Sequence, residues 1–145
     1  MQTLSKKEIG LTEKVIAFAK TVENDYTYKI AAAIVYKNKI IKLSHNEIKS
    51  HTFQKQYAKN EHAIYFHAET SVIHKARKIL GDEKLKKATL IVARVSQIRS
   101  KAQQKLMGHN IAEAKPCEGC ASCIKDFGIK KVIYTTQQGT METFH

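Results

Sequence analysis

Tryptophan is absent from the 145 residues, proline occurs once, and glycine six times. A chain so poor in both punctuating residues has no linker-like or low-complexity stretch. With 43% hydrophobic and 26% charged residues, its composition is that of a folded protein. No run approaches the roughly 20 apolar residues that a membrane span needs. The first residues, MQTLSKKEIGLTEK, lack the apolar centre of a secretory leader, so the expectation is a cytoplasmic protein. Three cysteines, all between Cys117 and Cys123, make a poor disulfide framework, and the pair in Cys-x-x-Cys spacing suits a metal better. The length predicts a single domain over residues 1–145.

Acids are also scarce: 25 Lys and Arg stand against 13 Asp and Glu, a net charge of +12. Such an excess admits nucleotide phosphates, nucleic acid or acidic surfaces as partners. The charge is clustered, with seven lysines and one acid from Lys29 to Lys59, and five basic residues and one acid from Arg94 to Lys115. Solvated lysines that keep a small protein soluble are the plainer explanation.

Apolar residues recur at helical spacing from Leu11 to Val22 and predict an amphipathic first helix. The run YKIAAAIVY, Tyr28 to Tyr36, is too short and too apolar for a helix, and after Lys37-Asn38-Lys39 the run Ile40 to Ser44 follows. Together they predict a hairpin of two strands. His45 to Tyr65 has no steady period and predicts a long loop. A second helix is expected from about His67 to Leu80, stopped by Gly81, and then a buried strand over Thr89 to Val95. Ser96 to Lys115 is polar and basic, with at most a helical turn over Ala102 to Met107. A third helix over Cys117 to Phe127, a strand over Lys130 to Thr136 and a short last strand over Met141 to Phe144 complete the pattern. Two strand-helix-strand crossovers predict an α/β fold, a mixed but mainly parallel sheet of four to five strands with helices on both faces.

Two short stretches carry chemistry. In YFHAETSVIH, His67 and Glu69 open the second helix, and in AKPCEGCASC, Cys117 and Cys120 open the third. Cysteines one helical turn apart can direct both thiolates at one ion. With His67 they form a Cys2His set whose fourth position stays open for water, the form of a catalytic zinc site. Zinc lowers the pKa of such a water to about 7. Glu69 can then take its proton, pass it to a ring nitrogen and deliver it to a leaving amine. Alone, each residue has a plainer reading: His67 as a polar helix start, and Glu69 as a first-turn carboxylate favoured by the helix dipole. Cys123, one turn beyond Cys120, is expected to be a small buried hydrophobe.

His-x-Glu followed by Pro-Cys-x-x-Cys is the signature of zinc nucleobase deaminases, and HAE and PCEGC occur here in that order. From Tyr28 to Thr136 the chain resembles the cytidine deaminase-like superfamily. The stretch PCEGCASCIKDFGIKKVIYTT is similar to the deoxycytidylate deaminase branch with its small, phage-type forms. The resemblance implies a three-layer α/β/α cytidine deaminase-like fold, zinc on His67, Cys117 and Cys120, and Glu69 as proton shuttle. It also implies that Asn46 bonds the sugar hydroxyl and that the Ala68 backbone amide bonds the pyrimidine carbonyl. His51 and Tyr134 are candidate pocket residues. The segment after Asn46 lacks the Gly-rich, proline-containing stretch of typical deoxycytidylate enzymes. The implied activity is hydrolytic deamination of a small-molecule cytosine nucleotide, dCMP to dUMP, by a homo-oligomer that supplies thymidylate precursors.

Three alternatives stay open. The +12 charge favours a deaminase of single-stranded DNA or RNA, although Phe53, Tyr57, Tyr65 and Phe66 are a thin stacking platform. A deaminase of free nucleoside is a second. A non-catalytic zinc-stabilised module that binds nucleic acid is the third, and it would have no use for Glu69.

Overall fold

The computed structural model describes residues 5–21, 28–45, 68–96, 110–112, 118–135 and 141–144. Its first element, α1 (Lys6–Thr21), starts five residues before the apolar pattern does. The Glu8 N–H donates to Ser5 Oγ at 3.1 Å and the Ser5 N–H donates to Glu8 Oε1 at 2.9 Å. This reciprocal capping box satisfies two N–H groups that a helix start would otherwise leave bare. Leu11, Val15, Ile16 and Ala19 form the buried stripe. Buried Thr12 fits among them because its hydroxyl donates to the Glu8 carbonyl at 2.8 Å.

β1 (Tyr28–Tyr36) and β2 (Lys39–His45) form the expected hairpin. Lys37 and Asn38 hold φ of 51° and 64°, the left-handed pair of a two-residue type I′ turn, whose twist matches that of the strands. Register shifts between Ile34 and Val35, which pair with Lys42 and Ile40 and leave Ile41 as a bulge. The remaining elements are α2 (Ala68–Leu80), a single turn α3 (Asp82–Leu85), β3 (Thr89–Ser96), β4 (Asn110–Ala112), α4 (Glu118–Asp126), β5 (Lys131–Thr135) and β6 (Met141–Phe144). Gly81 ends α2 as expected, its N–H donating to the Arg77 carbonyl at 2.8 Å. At the end of α4 the Ile129 N–H bonds the Ile124 carbonyl and the Gly128 N–H bonds that of Lys125. This is a Schellman closure, and it needs the left-handed φ of 73° that Gly128 supplies.

The strands form one sheet in the order β2-β1-β3-β5-β6, with β4 added to β3. The mixed α/β sheet is as expected, but it is not mainly parallel, and the described residues hold six strands rather than four to five. Among the described residues β3/β5 is the one parallel ladder, and the other four pairings are antiparallel. The β2–α2–β3 crossover does join strands that run the same way. β1 lies between them, however, and pairs antiparallel with both. Direction was correctly expected, and adjacency was not.

Side chains alternate across the sheet into two cores. Ala31, Ala33, Val35, Ile91, Ala93, Val95 and Ile133 pack against Leu11, Val15, Ile16 and Ala19 of α1. Ala32, Ile34, Leu90, Val92, Val132 and Tyr134 pack against Ala68, Val72, Ile73 and Ala76 of α2 and Cys123 and Ile124 of α4. The chain is thus a three-layer α/β/α fold, with α1 on one face and α2 and α4 on the other. No helix among the described residues is long and apolar enough to cross a membrane.

Candidate active site

β2 and β3 both run opposite to β1, and β5 runs with β3. α2 ends in the short connection that feeds the start of β3, and α4 ends in the turn that feeds the start of β5. Both helices therefore begin at the carboxyl ends of β2, β3 and β5. Two helix N-termini at one end of a sheet bring bare N–H groups and the positive ends of two dipoles together, a setting that favours anions and thiolates.

The first turn of α2 is enclosed on every side. Ala68, Thr70 and Ser71 are fully buried and Glu69 is 6% exposed, whereas Arg77 and Lys78 near the other end are exposed. An amphipathic surface helix would bury one stripe only. Glu69 is the one buried carboxylate among the described residues. Burying a carboxylate is costly without hydrogen bonds, a countercharge or a metal, so its place at a helix N-terminus has a physical reason. Tyr134, the penultimate residue of β5, is opposite Val92 and is buried in the same core as Ala68 and Cys123. Cys120 is in the first turn of α4. Cys123, one turn on, is buried in the core, as expected.

Of the expected site residues, Ala68, Glu69, Tyr134 and Cys120 are thus brought to one end of the sheet. His67, Cys117, Asn46 and His51 lie outside the described residues. No three His, Cys, Asp or Glu side chains converge among the described residues, and two of the three expected ligands are not among them. A recess of about 220 Å³ between Glu8, Leu11, Lys37, Lys87 and Thr89 lies on the α1 face at the opposite end of the sheet, and no imidazole or sulfur lines it.

Sequence reasoning reaches Arg94 only as the start of a basic segment, Arg94 to Lys115, which together with Lys29 to Lys59 it offers for the phosphate of the implied nucleotide without singling out a residue. Alternation in TLIVARV places Arg94 on the face of Leu90 and Val92, at the carboxyl end of β3. The signal was available.

The three-layer α/β/α fold thus brings two helix N-termini to one end of the sheet, beside a buried first-turn glutamate. The chain belongs to a family: the model described as the cytidine and deoxycytidylate deaminase zinc-binding region matches residues 5–136. It is accordingly a deaminase of the cytidine and deoxycytidylate type, and the metal of the family is zinc. No protein of curated function matches the chain in sequence. One imidazole and two thiolates are a donor set that zinc accepts. The described part of the site, a buried carboxylate with Cys120 in the first turn of the neighbouring helix, fits that metal.

Proposed function

We propose that the chain hydrolyses the exocyclic amine of a cytosine nucleotide, converting dCMP to dUMP with release of ammonia. The observation that carries the reading is Glu69, a carboxylate buried in the first turn of α2 at the end of the sheet where α4 begins, with Cys120 in its first turn. His67, Cys117 and Cys120 are the residues that would hold zinc. Zinc, when bound, supplies a water acidified to a pKa of about 7.

The chain's own residues do the rest. Glu69 accepts a proton from the attacking water and donates it to the pyrimidine ring nitrogen. It then carries a second proton to the departing amine, so that water and the C4 amine become the C4 carbonyl and ammonia. The Ala68 N–H, in the first turn of α2, has no acceptor within the helix and is suited to the pyrimidine carbonyl. Asn46 is assigned to the sugar hydroxyl, and His51 and Tyr134 to the pocket wall. The protein is read as one domain, cytoplasmic, and a homo-oligomer.

A second reading, a deaminase of single-stranded DNA or RNA, is favoured by the +12 charge. The test is uracil formation from cytosine, deoxycytidine, dCMP, dCTP and a short cytosine-containing single strand. Preference for dCMP is expected. Turnover confined to the strand, falling steeply with salt, would replace the first reading with the second.

A further inference from the structure

We infer that Arg94 binds the phosphate of the substrate, which makes it the residue that separates a cytosine nucleotide from its nucleoside. The inference rests on the deaminase reading above and adds a specificity determinant to it. The family's description joins cytidine and deoxycytidylate, one substrate without a phosphate and one with it. A site that prefers the second needs a cation at a defined place.

Arg94 has such a place. On β3, Ile91, Ala93 and Val95 face α1, while Leu90 and Val92 face α2 and α4. Arg94 shares the second face and stands two residues beyond Val92, roughly 7 Å nearer the carboxyl end of the strand. Tyr134 is opposite Val92, so Arg94 lies one pleat beyond Tyr134 on the way out of the site. Its backbone is held from both edges of β3, by Ile30 of β1 on one and on the other by Ala112 of β4 and by Thr135 Oγ1, which accepts the Arg94 N–H at 3.2 Å. Thr135 is itself buried.

Residue type supports the same conclusion. The chain has three arginines among 25 basic residues and meets solvent with lysine. Arg77 is engaged with Asp82 at 2.7 Å and stacked on Phe127. Arg94 is half-buried at the end of a central strand, where its planar fork of donors suits phosphate oxygens better than a lysine point charge does. Lys29, the buried cation of neighbouring β1, pairs with Val95 and so faces the α1 layer. The phosphate can be the monoester of a free nucleotide or the diester of a strand.

The test compares wild type, Arg94→Gln and Arg94→Lys on dCMP, deoxycytidine and a short cytosine-containing strand, with zinc content and melting temperature measured for each. Arg94→Gln should lower kcat/KM on dCMP by about 10- to 150-fold, mainly through KM, as loss of a charge-assisted hydrogen bond does. It should leave deoxycytidine within about threefold, and Arg94→Lys should fall between the two on dCMP. A loss confined to the strand assigns the diester instead. Equal losses on nucleoside and nucleotide, or no loss, would overturn the role of Arg94. If Arg94→Gln does not fold, Arg94→Lys against wild type decides by the same ratio. Wild-type protein inactive on every cytosine substrate would instead sink the deaminase reading itself.

Discussion

Glu8 Oε2 pairs with Lys131 Nζ while its other oxygen closes the capping box with Ser5. One carboxylate thereby joins the start of α1 to the first residue of β5. Burial by itself pushes the Glu8 carboxyl up. The Lys131 ammonium, with the Ser5 N–H and hydroxyl, outweighs it and holds the carboxyl below its ordinary value of 4.5. A carboxyl whose folded pKa is lowered adds stability that is fully present above the unfolded value and lost as pH falls through the folded one. Glu8→Gln should therefore cost about 0.5–1 kcal/mol at pH 7. The gap to wild type in urea unfolding should close as pH falls below 4.5 and through the lowered folded value. A gap unchanged once the carboxyl is protonated would show that shape, not charge, is what Glu8 contributes.

Glu69 and Cys120 should part company when each is changed. Glu69→Gln is expected to bind about one zinc per chain yet lose at least about 100-fold in ammonia release. Cys120→Ser should lose zinc and activity together, as should wild type treated with a chelator, with recovery on adding zinc. Elemental analysis beside the activity assay reads both. Glu69→Gln with near-normal turnover would remove it from the chemistry.

Gly128 and Gly10 predict opposite effects of the same added methyl. At Gly128, φ is +73° and a Cβ would lie 3.0 Å from Lys86 Cγ. Gly128→Ala should cost about 1–2 kcal/mol, a fall in Tm of roughly 3–8 °C. Gly10 is within α1 with open space around its Cβ position. Gly10→Ala should stabilise by about 0.5–1 kcal/mol. Thermal unfolding of the two variants checks both signs.

The elements that could be read in advance were those whose pattern is local. Ala31 to Val35 are buried on both faces, and a continuous apolar run is how such a strand appears in sequence. α2 announced itself through Val72, Ile73 and Ala76 and the stop at Gly81. The start of α1 was missed because Ser5 to Glu8 holds no apolar residue, although Ser-x-x-Glu is itself a start signal. β4 could not be read at all. Three residues become a strand only because Arg94 to Ser96 pair with them. The order of strands was equally hidden, since a crossover reports direction and says nothing of what lies between. At the site, Ala68, Glu69 and Cys120 were marked by two motifs in the right order. Arg94 was obscured because it was grouped with the charges that follow it rather than with the alternation that precedes it.

The strand between β2 and β3 has a consequence for how such a protein can change. β2 and β3 finish at the same end of the sheet yet share no hydrogen bonds. A change of register in the β1/β2 hairpin, such as the bulge at Ile41, therefore leaves the β3/β5 ladder as it is.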